Sequence, residues 1–230
     1  MFNRWLADHH ANTKYLAGYG MSEFASVATL NLRKACKVGS VGIPLVHANV
    51  KITDPESGEE LRYSNPGEIC ICAPNTMIGY FNDREETEKT VSVDESGHRW
   101  MHTGDIGYVD TDGFIFVVGR LKRVYLTRAD DGSIVKIYPT YIEDTIMGDD
   151  AVINCGVIAR KHEEKLHIPI AFVTLHGNQK ENIIGRLMVL AQNELPEYDR
   201  PEIITIIDSM PMTPSGKIDY RVLEEMAKEM

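Results

Sequence analysis

The chain contains no apolar run approaching the roughly eighteen residues that a membrane-crossing helix requires. Its N-terminal stretch has none of the charged-then-apolar patterning of a secretory signal. Cationic excess is also missing. With 24 Lys and Arg against 34 Asp and Glu, the net charge of −10 argues against a nucleic-acid backbone or an anionic membrane as main partner. Cysteine is scarce, and Cys36, Cys70, Cys72 and Cys155 sit in no metal-ligand spacing. Cys70-Ile71-Cys72 alternates with period two, as on one face of a strand, which implies buried thiols in a reducing compartment and a cytoplasmic protein. Eighteen glycines and ten prolines are ordinary numbers, so wholesale disorder is unexpected. Nowhere is there a Ser/Thr/Gly-rich phosphate loop ending in lysine.

What is present fits one large domain or two small ones, since 43% of 230 residues are apolar. The stretch from His102 to Arg123 stands out. Thr103-Gly104 reads as a tight turn that leaves the Asp105 carboxylate facing outward. "DTDG" at Asp110 to Gly113 is a hairpin signal between two runs of β-branched and aromatic residues. Gly119 to Arg123 ends the second strand with three cations in five residues. A carboxylate and a guanidinium at the two ends of one hairpin suit a polyhydroxyl or phosphate ligand. An ordinary hairpin with a solvated basic end has the same pattern.

Along the chain, Phe2, Trp5 and Leu6 give a helical stripe within Met1 to His10. Lys14 to Ala17 is a strand candidate leading into Gly18-Tyr19-Gly20-Met21-Ser22-Glu23. Two glycines around Tyr19 let a flat ligand approach the backbone, and Glu23 suits a cation; a strand-to-helix turn with a packed tyrosine is the plainer reading. Val38 to Tyr80 is all-β in texture and predicts a small barrel or sandwich. Asn82 or Asp83 caps a helix with acidic residues in its first turn. After Lys122 the order is a polar loop at Arg128 to Ser133, a helix opened by Pro139, two apolar strands around a charged tip at Lys161 to Lys165, a helix over Gln179 to Leu195, a strand in "PEIITIID", and a last helix capped by Asp219 and running to Met230. That order predicts a compact α+β domain.

Four stretches in fixed order, "GYGMSE", "HTGD", "GRLKR" and "PMTPSGKIDYR", together with "GEICICAPNTMIGYFNDREET", resemble the signatures of acyl-adenylate-forming enzymes. That family includes acyl-CoA synthetases, peptide-synthetase adenylation domains and luciferases. The resemblance implies that Tyr19 lies against adenine, with Gly18 and Gly20 shaping the pocket. It implies Mg²⁺ at Glu23, ribose hydroxyls at Asp105 and Arg120, a hinge at Lys122, and catalysis of adenylation by Lys217. ATP or AMP is then the nucleotide, coenzyme A the co-substrate, and a small carboxylate the acyl donor. Residues 1–121 correspond to the end of the large domain, with a β-barrel-like subdomain, and 122–230 to a small mobile α+β domain.

Two departures accompany the match. The family's phosphate loop precedes the "GYGMSE" stretch, so the chain is expected to be the C-terminal part of a longer ligase, needing that missing portion and inactive by itself. The link "VYLTRADDGSIVKIYP" is several residues longer than usual and carries Gly132 at the position nearest the pantetheine channel. Other readings are an adenylation domain loading a carrier protein in trans, or a non-catalytic module that kept the fold.

Overall fold

A computed structural model describes residues 2–177 and 182–228, which form two compact units, 1–121 and 122–230. The first residues of the helix expected from Gln179, and the end of the helix expected to reach Met230, lie outside the described residues.

The first unit opens with helix α1 (Phe2–Asp8). Strands β1 (Gly18–Tyr19), β2 (Thr29–Leu30) and β3 (Ile43–Pro44) make a small antiparallel sheet. A second sheet takes β4 (Asn49–Thr53), β5 (Gly67–Cys72), β6 (Val91–Val93), β7 (Arg99–Val109) and β8 (Ile115–Arg120). Its axis is β7. One edge of β7 pairs with β5; the other is divided between β6 at Arg99 to Met101 and β8 at Asp105 to Val109. Register shifts beside Glu68 and Ile106 mark bulges that bend this strand. Phe24 and Ala28 pack with Ile52, Ile69, Ile71, Met101 and Ile115 into one core. Each such large side chain contributes about 1.5–3 kcal/mol when fully buried.

The described ladders are those of an open five-stranded sheet beside a three-stranded one. None of them joins β4 to β6 or β8, so barrel closure is not formed by strand pairing among the described residues. The short strand expected at Lys14 begins later, at Gly18. Local signals acted as read elsewhere: Asp83 accepts a hydrogen bond from Glu86 N at 3.0 Å and starts α2 (Arg84–Thr90). The Asp110 carboxylate accepts from Asp112 N and Phe114 N and closes the β7–β8 hairpin.

In the second unit the polar loop at Arg128 to Ser133 is the tip of a hairpin, β9 (Tyr125–Arg128) with β10 (Ile134–Ile137). Pro139 opens α3 (Pro139–Ile146). Strands β11 (Val152–His162) and β12 (Leu166–Leu175) run antiparallel, and β13 (Ile203–Ile206) joins β12 in parallel. Helix α4 (Ile183–Glu194) packs with α3 on one face, where Ile142, Ile146 and Leu187 meet Val157, Ala171 and Val173. Helix α5 (Tyr220–Lys228) covers the other, where Leu223 and Ala227 meet Ile158, Ile170 and Phe172. Burial on both faces explains why these strands read as continuous apolar runs.

A buried ion pair ties the start of this unit to its core. Arg123 follows β8 in a single 3-10 turn, Leu121–Arg123. Its Nη2 donates to Glu143 Oε1 at 2.6 Å and to Val157 O at 3.1 Å, and its guanidinium lies 3.7 Å from the centre of the Tyr220 ring. Glu143 Oε1 also accepts from Val157 N at 2.8 Å. Burial raises the Glu143 pKa, against the lowering by Arg123 and its other donors. Arg123→Ala leaves that carboxylate buried without its cation, so it is expected to lower stability by about 3–5 kcal/mol, measured by urea unfolding. A loss below about 1 kcal/mol would show that the pair behaves as an exposed one.

Candidate active site

Asp105 does not face outward from a turn. The whole of His102-Thr103-Gly104-Asp105 lies inside β7, and Asp105 is only 5% exposed. Gly104 takes φ of 67°, a left-handed conformation that glycine tolerates, and the strand continues through it. The adjoining Thr103 hydroxyl donates to Ile69 O at 2.8 Å and accepts from Asp105 N at 3.1 Å.

Cross-strand register places Arg120 opposite Asp105. Arg120 Nε lies 2.8 Å from Asp105 Oδ1 and its Nη1 donates to Thr103 O at 3.4 Å, while the side chain as a whole is about half exposed. From β1, the Tyr19 hydroxyl donates to Asp105 Oδ2 at 2.5 Å. Burial, then this hydrogen bond to the carboxylate, pushes the Tyr19 pKa well above its ordinary value, so the phenol stays protonated. Two residues from two neighbouring strands, Tyr19 and Arg120, thus hold the Asp105 carboxylate with a phenolic and a cationic partner.

The glycines beside Tyr19 serve backbone packing. A Cβ on Gly20 would stand 1.8 Å from Ser26 O, and one on Gly18 would stand 2.9 Å from Leu30 Cδ1. The space at Gly20 is filled by the chain itself, not left open for a flat ligand. Glu23 sits in a 3-10 turn, Ser22–Phe24, and its Oε1 accepts from Tyr80 Oη at 3.0 Å.

The other expected residues belong to the second unit. Lys122 is exposed in the 3-10 turn after β8. Gly132 occupies the β9–β10 tip with φ of 84° and open space around its Cα. Lys217 is exposed on a turn closed by Thr213 N to Lys217 O at 2.7 Å and Lys217 N to Thr213 Oγ1 at 3.2 Å. Gly216 permits that turn with φ of 77°.

Sequence reading passed over a second polar cluster. His102 Nδ1 lies 3.0 Å from Glu68 Oε2 and 3.5 Å from Cys70 Sγ, and Nε2 lies 2.9 Å from Ser92 Oγ. Contacts with Cys70 and then Glu68 outweigh burial and raise the imidazole pKa to about 10. The i, i+2 spacing of Glu68 and Cys70 on β5 was a legible signal for one shared face; the pairing of Cys70 with His102 was not.

The chain matches two family models: "AMP-binding enzyme" over residues 2–81 and "AMP-binding enzyme C-terminal domain" over residues 141–217. It is 34% identical over 212 residues to 4-coumarate–CoA ligase 1 of Glycine max, covering 90% of this chain and 69% of that protein. The chain belongs to the AMP-binding enzyme family. Against 4-coumarate–CoA ligase of Pinus taeda it is 35% identical over 206 residues, 87% of this chain and 36% of that one. ATP-bound MatB from Rhodopseudomonas palustris superposes with a TM-score of 0.83 at 27% identity, covering 98% of this chain and 43% of that one. The chain therefore spans from about a third to two thirds of the length of these relatives, and the mixed α/β architecture with several sheets is that of adenylating enzymes.

Within this AMP-binding enzyme chain, Tyr19→Phe keeps the ring and removes one donor from a buried carboxylate. It is expected to cost about 1–3 kcal/mol, seen as a lower urea midpoint. Unchanged stability would mean that the Tyr19 hydroxyl does not hold Asp105 in solution.

Proposed function

We propose that the chain carries the nucleotide-binding and lysine-bearing C-terminal part of an ATP-dependent carboxylate–CoA ligase. In that reaction a carboxylate oxygen attacks the α-phosphorus of ATP and pyrophosphate leaves; the thiol of CoA then attacks the acyl carbonyl and AMP leaves. The observation that carries this reading is the Tyr19–Asp105–Arg120 arrangement in a member of the AMP-binding family. A carboxylate immobilised by a phenol and a guanidinium is preorganised to accept from the two ribose hydroxyls, and the half-exposed Arg120 side chain provides further donors beside it. Charge-assisted hydrogen bonds of this kind are worth roughly 1.5–3 kcal/mol each. Tyr19, with Gly18 and Gly20 fixing its loop, supplies the ring beside adenine.

Glu23 suits the family's Mg²⁺: it is a partly buried hard oxygen donor oriented by Tyr80, and Mg²⁺ is commonly held by one or two carboxylates with substrate phosphates completing its shell. When bound, the ion supplies countercharge to the phosphates. Residues 1–121 act in this reading as the end of the large domain. Residues 122–230 act as the small domain that reorients about Lys122 between the two half-reactions. Lys217 is delivered for adenylation by its exposed turn, and Gly132, at the open hairpin tip, stands on the CoA side.

The chain holds no Ser/Thr/Gly-rich phosphate loop, so it is expected to show no carboxylate-dependent pyrophosphate exchange by itself. Exchange clearly above that of a Lys217→Ala control would overturn this. In a ligase that joins this chain to such a loop, Lys217→Ala is expected to slow adenylation by about 10²–10³-fold, as for loss of one preorganised transition-state charge. Thioester formation from ready-made acyl-adenylate should be spared. Equal loss in both half-reactions would refute a role confined to adenylation, and loss in neither would leave Lys217 a surface charge.

A further inference from the structure

We propose that Glu68, Cys70 and His102 form a binding site for a divalent cation of the zinc class. One ligand atom from each residue lies within 4.8 Å of the others, and these are the carboxylate, thiolate and imidazole donors that zinc takes.

The separations fit a tetrahedral ion. With Zn–N of about 2.0–2.1 Å and Zn–S of about 2.3 Å, tetrahedral angles put nitrogen and sulfur roughly 3.5 Å apart and nitrogen and oxygen roughly 3.3 Å apart. His102 Nδ1 lies 3.5 Å from Cys70 Sγ and 3.0 Å from Glu68 Oε2. Without an ion the same atoms are hydrogen-bonded: Nδ1 lies between sulfur and carboxylate, and Cys70 Sγ also lies 3.3 Å from Thr53 Oγ1. A cation between the three atoms would replace these hydrogen bonds by three metal bonds.

The backbone fixes the ligands in advance. Glu68 and Cys70 share one face of β5, and the β5–β7 ladder sets His102 directly across from Cys70. Outer partners are in place as well. His102 Nε2 meets Ser92 Oγ at 2.9 Å, and Glu68 Oε1 accepts from Gly104 N at 3.0 Å, the type of support that orients ligating imidazoles and carboxylates. Cys70 is fully buried whereas the His102 side chain is 30% exposed, so an ion enters past the imidazole and the fourth position faces that opening. Binding forms metal bonds to thiolate, imidazole and carboxylate and releases to solvent the protons those groups carried.

Cobalt(II) is the probe, added to the Cys36→Ser/Cys72→Ser variant of the whole chain. Its remaining thiols are Cys70 and Cys155, and the latter is sealed in the core of the second unit. One equivalent is expected to give intense tetrahedral visible bands and a thiolate charge-transfer band in the near ultraviolet, both abolished by zinc. His102→Gln, with an unchanged urea midpoint as the check that the fold is kept, is expected to weaken cobalt binding at least tenfold. A pale octahedral spectrum without charge transfer would overturn the proposal, as would a spectrum and affinity unchanged by His102→Gln.

Discussion

The first unit depends on one strand having to serve three neighbours. β7 is eleven residues long, and its second edge is shared between β6 and β8. That division is possible only because the strand bends between its two halves, at a glycine with positive φ and at bulges on both sides. The bend turns Asp105 toward Tyr19 on β1 and leaves Arg120 directly opposite on β8. The candidate nucleotide site is in this sense a by-product of how one sheet resolves a shortage of edge.

Much of the local structure was legible because its causes are local. The β7–β8 hairpin forms where Asp110 can bond two amides within four residues of itself, and α2 starts where Asp83 reaches the amide of Glu86. The apolar runs of β11 and β12 were readable as strands, with burial on both faces explaining why they do not alternate. The four motif stretches identified the family by resemblance, and the relatives bear that out.

What the sequence misled on was non-local. Thr103-Gly104 has the composition of a turn, yet it lies mid-strand, since a glycine at positive φ inside a ladder and one in a turn leave the same letters. Burial of Asp105 is decided partly by Tyr19, 86 positions away, and no window on either segment contains that contact. Gly18 and Gly20 pointed to an opening for a ligand, whereas the backbone of Ser26 to Leu30 occupies the room their missing side chains leave. Glu68, Cys70 and His102 drew no attention as a set because their meeting is a property of strand register.

The anchoring of Arg120 and Arg123 has a mechanical consequence. The first is held within residues 1–121 by Asp105, and the second within residues 122–230 by Glu143 and the Tyr220 ring. Only Leu121 and Lys122 lie between these two clamps. A peptide chain offers two soft torsions per residue, so the free joint amounts to about four rotatable angles. For the hinge proposed at Lys122, so short a connection leaves few angles through which the chain can turn. On that proposal a proline at position 122, which fixes φ, would remove one of those angles.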